Sequence, residues 1–240
     1  MQLHRLDLTL PSPAGNLACD EALLAAAEAG GGGVLRFWQP TQYFVVVGYA
    51  NHVAREVNEA ACAAAGVPVL RRCSGGGTVL QGPGCLNYSL VLPFDEAGPL
   101  ATITGANRFI LDRIRHALEP LAGGAIERHG DTDLVFAGRK FSGNAQRRRR
   151  THLLFHGTVL LRFELARIAE LLPMPSKEPG YRKRRPHQDF LANLPVPAAA
   201  VKRALAEAWG AREPLPTLPR ETIKQLVMER YATAAWNRKF

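Results

Sequence analysis

Two segments of the chain gather residues that can bind and polarise an anionic group. In RRCSGGGTVLQGPGCLNYSLVLP, residues 71–93, three consecutive glycines follow a short apolar run and a pair of arginines. Lacking a Cβ, Gly75, Gly76 and Gly77 let backbone N–H groups approach phosphate or carboxylate oxygens closely, and Arg71 or Arg72 can add a bidentate charge-assisted contact. A plain glycine turn between strands reads the same way, and neither the dinucleotide G-x-G-x-x-G nor the P-loop pattern is present. The second segment, GDTDLVFAGRKFSGNAQRRRRTHLLFHGTVLL, spans residues 130–161. Here Asp131 and Asp133 precede an apolar run, Lys140 follows the tight turn Ala137-Gly138, and Ser142-Gly143-Asn144 places small polar groups beside it. A lysine is a compact point charge, suited to the negative charge that builds on a carboxylate and an α-phosphate as a mixed anhydride forms. An isolated lysine at a hairpin is ordinarily a solvated surface residue, so the functional case rests on these surroundings.

Elements that could hold the two segments can be read from the hydrophobic periodicity. Residues 2–10 read as a strand, and an amphipathic helical segment with Leu17, Leu23 and Leu24 at helical spacing begins at Asn16 and ends at the glycines Gly30 to Gly33. Strand-like runs follow at Val34 to Trp38 and Tyr43 to Val47, then an Ala-rich helix at Arg55 to Ala65 and a short run at Val67 to Leu70. Leu86 to Leu92 alternates as a strand, and Thr104 can cap a helix with the stripe Ile110, Leu111, Ile114 and Leu118. A β-rich middle follows: Leu134 to Phe136, Lys140 to Gln146, and Leu153 to Leu161. Helical patterns return at 164–172, 198–209 and 220–231, linked by Pro-rich segments. Strands grouped with helices, without regular βαβ alternation, predict an α+β domain.

Composition narrows the partners. The 240 residues are 47% hydrophobic and 21% charged, an ordinary globular balance. A net charge of +9 favours an anionic partner: a nucleotide, a nucleic acid or an acidic protein. The N-terminus lacks the apolar core of a secretion signal and no run approaches a membrane span, which predicts a cytoplasmic protein without membrane attachment. Cys19, Cys62, Cys73 and Cys85 form no CxxC pair or zinc-spaced cluster, so no resident metal is expected.

Taken in order, RRxSGGGxV, G-x-x-N-x-S, GxxDL, GxKxSGxAQ and HGT resemble the catalytic domain of lipoate-protein ligases, within the wider biotin/lipoate ligase fold, over roughly residues 16–195. Biotin ligases would show a GRGR-type loop instead. The resemblance implies a mixed, largely antiparallel sheet flanked by helices, with residues 1–195 as the catalytic domain and 196–240 as a helical extension without a full accessory domain. It implies that Arg71, Ser74, Gly75, Gly76, Gly77 and Thr78 line an acyl-adenylate site and that Asn87 lies on the adjoining strand. Asp133 matches the aspartate near the nucleotide, where Mg²⁺ carried by ATP can sit, and Lys140 matches the essential lysine. Gly143 and Asn144 lie beside that lysine, and His156, Gly157 and Thr158 match the strand that closes the pocket. His156 reads equally well as a satisfied core histidine. The implied substrates are ATP and lipoate or octanoate, with the acyl group passed to a lysine of an acidic lipoyl carrier protein or lipoyl domain. A separate accessory subunit can be required. Apolar walls for the acyl tail are available in Val45, Val47, Leu80 and Val159.

A related chemistry, octanoyl transfer from acyl carrier protein through a cysteine thioester, needs a nucleophilic thiol near the lysine. In the resembled transferases that cysteine sits in a Pro-Cys-Gly motif, where this chain reads Leu171-Leu172-Pro173-Met174-Pro175. Cys73 and Cys85 remain as alternative thiols, and the Gln81-Gly82-Pro83-Gly84 turn resembles the transferase branch. The runs Arg147 to Arg150 and Arg182 to Arg185 are solvated loops or a docking face for the acidic carrier. Nucleic-acid binding through the same runs is the alternative from another class, but no nucleic-acid motif accompanies them and none is expected as partner.

Overall fold

A computed structural model describes residues 3–240. Among the described residues, ten strands form two sheets: β1 (Leu3–Asp7), β2 (Gly33–Trp38), β3 (Phe44–Val47), β4 (Val69–Arg71), β5 (Val79–Gln81), β6 (Cys85–Pro93), β7 (Ile126–His129), β8 (Asp133–Phe136), β9 (Arg139–Arg148) and β10 (His152–Leu160). The helices are α1 (Pro13–Glu28), α2 (Val53–Glu56), α3 (Glu59–Ala64), α4 (Ile103–Ala122), α5 (Ala166–Leu171), α6 (His187–Phe190), α7 (Ala198–Ala208), α8 (Arg220–Leu226) and α9 (Ala234–Asn237), with a π-helical stretch at Val227–Tyr231. The seven-stranded sheet has the order β1-β2-β6-β10-β9-β8-β7, and only β1 and β2 run parallel. The small sheet is β4-β3-β5. This is the mixed, largely antiparallel sheet with flanking helices that the resemblance implies.

Three apolar clusters hold the layers together. Leu35, Leu86, Leu90 and Phe155 pack one sheet face against Ile110 and Ile114 of α4 and Leu205 of α7. The other face meets α1 through Leu17, Ala22 and Leu24, with Ile223 and Tyr231 behind the helix. A third cluster joins Val45 and Val47 of β3 to Phe163, Ile168 and Phe190. Residues 196–240, read as an extension, thus contribute side chains to two of the three clusters. No helix among the described residues is long and apolar enough to cross a membrane.

Several boundaries differ from the periodicity. Helix α1 begins at Pro13, capped by Ser12, whose Oγ accepts from Gly15 N at 3.1 Å, while Asn16 lies inside the helix and closes the preceding turn onto Leu10. Thr102, not Thr104, caps α4, and Gly123 ends it in a left-handed conformation. The Ala-rich segment divides into α2 and α3, because Val57 takes an extended backbone and Asn58 caps the second helix. Gln2, the start of the expected first strand, lies outside the described residues.

Candidate active site

Strand pairing fixes which side chains can converge. Cross-strand partners share a face, so the register lays out rows across the sheet. One row is Trp38, Asn87, Thr158, Gly143 and Asp133; the next is Arg36, Ser89, His156 and Ala145. Every member except Arg36 lines a cavity of about 560 Å³ between this sheet face, α1, the small sheet and the glycine segment. The tail-wall expectation is corrected by the same alternation. Val46 and Leu80 line the cavity, but Val45 and Val47 turn into the third cluster and Val159 into the core beside α4.

Lys140 reaches the row through a β-bulge. The register steps from Leu134 opposite Ser142 to Val135 opposite Lys140, so Phe141 is the extra residue and sits in the core. Simple alternation would keep Lys140 off the face of Gly143; the bulge turns it back. Its Nζ lies 2.8 Å from Asp133 Oδ1, with the lysine side chain 23% exposed. Tyr181 donates to the other Asp133 oxygen at 2.7 Å, and burial together with Asp133 raises that phenol above its ordinary pKa. The lysine lies over Gly143, where a Cβ would come within 2.9 Å of Nζ.

Three polar side chains close on one another beside it. Asn87 Nδ2 donates to Gln81 Oε1 at 3.0 Å, Gln81 Nε2 to Thr158 Oγ1 at 2.6 Å, and Thr158 Oγ1 to Asn87 Oδ1 at 2.6 Å. Asn144 orients neighbours: it accepts from Tyr88 Oη and donates to Thr132 O at 2.7 Å. Gly157 lies directly beneath, where any Cβ would stand 1.6 Å from Asn144 Oδ1, so the motif His156-Gly157-Thr158 requires glycine at its centre.

The two arginines of the glycine segment have different tasks. Arg71 is fully buried, and its guanidinium donates to the carbonyls of Gly48, Tyr49, Asn51, Trp236 and Asn237 at 2.8–3.1 Å. It fastens the C-terminal residues behind the loop and does not line the cavity, which corrects its expected place there. Arg72 does line it, donating to Ser74 Oγ, Gly75 O and Gly77 O. Burial lowers its pKa to about 10, so it remains a cation at neutral pH. Gly76, Gly77 and Thr78 line the cavity; the buried Ser74 and the exposed Gly75 do not. Among the described residues, the N–H groups of Gly75, Gly76 and Gly77 donate to no protein acceptor, as an anion cradle requires.

His156 is neither free nor a plain core histidine. Its Nδ1 lies 3.0 Å from Asp20 Oδ2 and its Nε2 2.6 Å from Ser74 Oγ. Burial pushes the Asp20 carboxyl up, but Arg36 at 2.6 Å and His156 outweigh it and hold the group below the usual range. Asp20 was hidden in the sequence because an acid on an Ala-rich helix reads as solvent-facing.

All four cysteines are buried, and none lines the cavity. Burial pushes the thiols of Cys73 and Cys85 up to about 12. No group of three or more metal-ligating side chains exists among the described residues. Asp131 and Asp133 both line the cavity and could supply oxygen ligands to a cation brought in by phosphates.

The basic runs divide in the same alternating way. Arg147 and Arg149 are exposed on the site face, over Tyr49 and beside Glu21 respectively. Arg148 turns the other way, onto Phe94 and Ala101 O. In the second run Arg182 is buried over Phe190 and Arg185 bonds three carbonyls, leaving Lys183 and Arg184 exposed.

Comparison with known proteins agrees with this arrangement. The model of the lipoyl protein ligase A/B catalytic domain matches residues 12–208. An octanoyltransferase LipM from Kyrpidia tusciae is 31% identical, with 94% of each chain covered. A lipoate-protein ligase A candidate from Aeropyrum pernix is 36% identical over 70% of this chain, which spans 61% of that relative's length. Subunit 1 of a lipoate-protein ligase A from Thermoplasma acidophilum is 25% identical over 92% of this chain and 90% of its own. Among solved structures, a lipoate-protein ligase A bound with ATP superposes with a TM-score of 0.86 at 24% identity over 99% of both chains. A bi-partite ligase of Thermoplasma acidophilum, described with its E2 lipoyl domain, gives 0.85 at 24% identity, covering 99% of this chain and 96% of that one. With these motifs gathered around one cavity, the chain belongs to the lipoyl protein ligase A/B catalytic-domain family, whose members include lipoate ligases and octanoyltransferases.

Proposed function

We propose that the protein is an ATP-dependent lipoate-protein ligase. A lipoate or octanoate carboxylate oxygen attacks the α-phosphorus of ATP, the bond to pyrophosphate breaks, and acyl-AMP remains in the cavity. A carrier lysine, as its neutral amine, then attacks the acyl carbon, and AMP leaves with the electron pair of the broken C–O bond. The observation that carries this reading is that Lys140 stands in the cavity with the glycine segment, while every thiol is buried away from it.

In this reading the free amides of the cavity-lining Gly76 and Gly77 and the Lys140 ammonium bind the charge that develops on the carboxylate and α-phosphate. Asp133 holds Lys140 until an anion competes for it. Asp131 and Asp133 are the oxygen ligands at hand for Mg²⁺ arriving with ATP, which would further neutralise the phosphates. Val46, Leu80 and Trp38 face the acyl chain. Asn87, Gly143, Asn144, Gly157 and Thr158 shape the floor, and Ser74 and His156 hold the loop. Arg147 and Arg149, exposed on this face, meet an acidic lipoyl carrier protein or lipoyl domain. The reaction takes place in the cytoplasm.

A second reading, octanoyl transfer, is favoured by the 94% mutual coverage with LipM. The test offers an apo lipoyl domain two donors in parallel: ATP, Mg²⁺ and lipoate, or octanoyl-acyl carrier protein. Modification with the first donor alone supports the ligase. Modification with the second donor alone overturns it.

A further inference from the structure

A continuous line of hydrogen bonds runs from the sheet to the glycine segment. Arg36 Nη1 donates to Asp20 Oδ1 at 2.6 Å, with side chains 0% and 3% exposed. Asp20 Oδ2 faces His156 Nδ1, His156 Nε2 faces Ser74 Oγ, and Ser74 Oγ meets Arg72 Nε at 3.0 Å. The directions follow from the chemistry of each group. An ionised Asp20 only accepts, so His156 carries its proton on Nδ1. Arg72 only donates, so with a neutral imidazole the Ser74 hydrogen is free to point at Nε2.

The far end of the line sets the loop. Arg72 holds Gly75 O and Gly77 O. In a trans peptide the carbonyl and the following N–H point in opposite directions. Holding these two carbonyls therefore turns the N–H groups of Gly76 and Thr78 to the opposite side of the loop, where no protein acceptor takes them. Gly76 supports this with a φ of +86°, and a Cβ there would stand 2.9 Å from Arg72 Nη2.

We propose that Asp20 is a positioning residue for the anion-binding amides: by fixing the Nδ1–H tautomer of His156 it locks Ser74 and Arg72, and through them the peptide planes of Gly75 to Thr78. The role rests on reading the loop as the cradle for the acyl-adenylate phosphate. Asp20 borders the cavity, but both of its oxygens are taken, Oδ1 by Arg36 and Oδ2 by His156, so it acts through His156. A purely structural acid would leave the tautomer of His156 and the aim of the loop amides indifferent to an Asp-to-Asn change.

The test compares wild type with D20N, H156Q, S74A and the D20N/S74A double variant. In the ligand-free protein, imidazole ¹⁵N shifts are expected to show the Nδ1–H tautomer, with a mixture or the reverse in D20N, and amide resonances of Gly76 and Thr78 displaced in both D20N and H156Q. Calorimetric titration with ATP is expected to show affinity lowered about tenfold or more in each single variant. The double variant should be no weaker than the weaker single, because both break the same line. H156Q leaves the Arg36–Asp20 pair intact and decides the matter if D20N does not fold. Wild-type tautomer and affinity in D20N, or wild-type affinity in H156Q, overturns the proposal. If wild type itself binds no ATP, the ligase reading fails, while the tautomer and amide shifts still test the line.

Discussion

Replacing Gly143 with alanine tests the placement of Lys140 without removing its charge. The new Cβ would lie 2.9 Å from Nζ and 3.0 Å from Cε of Lys140, but 3.6 Å from Asp133 Oδ1. Ordinary contacts need about 3.5 Å or more, so the ammonium must shift by roughly 0.6 to 1 Å. It can do so, because the clash is with the end of a flexible chain and not with backbone. A misplacement of about 1 Å can cost on the order of a hundredfold, or about 2.7 kcal/mol of transition-state stabilisation. Folding stability should change by less than about 1 kcal/mol, since the Lys140–Asp133 pair is only partly buried. Lipoate-dependent exchange of labelled pyrophosphate into ATP reads the first quantity, and thermal denaturation the second. Lys140→Ala should lose at least about a hundredfold, and the double variant little more than the worse single. Full activity in Gly143→Ala would show that the position of Lys140 is immaterial. A loss of activity matched by a collapse in melting temperature would count equally against the placement of Lys140.

Further outcomes follow from the same geometry. With all thiols buried and those of Cys73 and Cys85 pushed up to about 12, a Cys73→Ser/Cys85→Ser variant should retain ATP-driven acylation, and thiol reagents should react slowly at pH 8. The Asp20 carboxyl is held below its ordinary 3.8, so its contribution to stability is complete above that pH and is lost as the pH falls through the lower folded value. Denaturant titrations of Asp20→Asn against wild type should therefore show a deficit of about 3 kcal/mol near neutrality that narrows below pH 4. Replacing Arg147 and Arg149 with serine should slow transfer to an acidic lipoyl domain and weaken its salt dependence while leaving pyrophosphate exchange nearly unchanged; Arg148→Ser should instead lower stability, because that side chain packs on Phe94.

The motifs made the site's composition legible but not its geometry. Lys140, Asp133, Gly143 and Thr158 are close in space because of register, and the bulge at Phe141 that turns Lys140 toward them leaves no mark in a run such as RKFSGNAQ. Arg71 and Arg72 are adjacent and chemically identical, so only the fold shows that one braces the C-terminus and the other the loop carbonyls. Helix α1, read as amphipathic, is covered on both sides: Asn16, Asp20 and Glu21, which an amphipathic helix would turn to solvent, are buried. Strands β5 and β7, three and four residues long, are too short for a period of two to register.

Mass spectrometry of the protein after incubation with ATP, Mg²⁺ and lipoate, in the absence of carrier, separates adenylation from thioester transfer. Bound lipoyl-AMP is expected in wild type, formed with one equivalent of pyrophosphate and missing in Lys140→Ala. No adenylate in wild type, together with an octanoyl group captured from acyl carrier protein, would overturn the ligase reading.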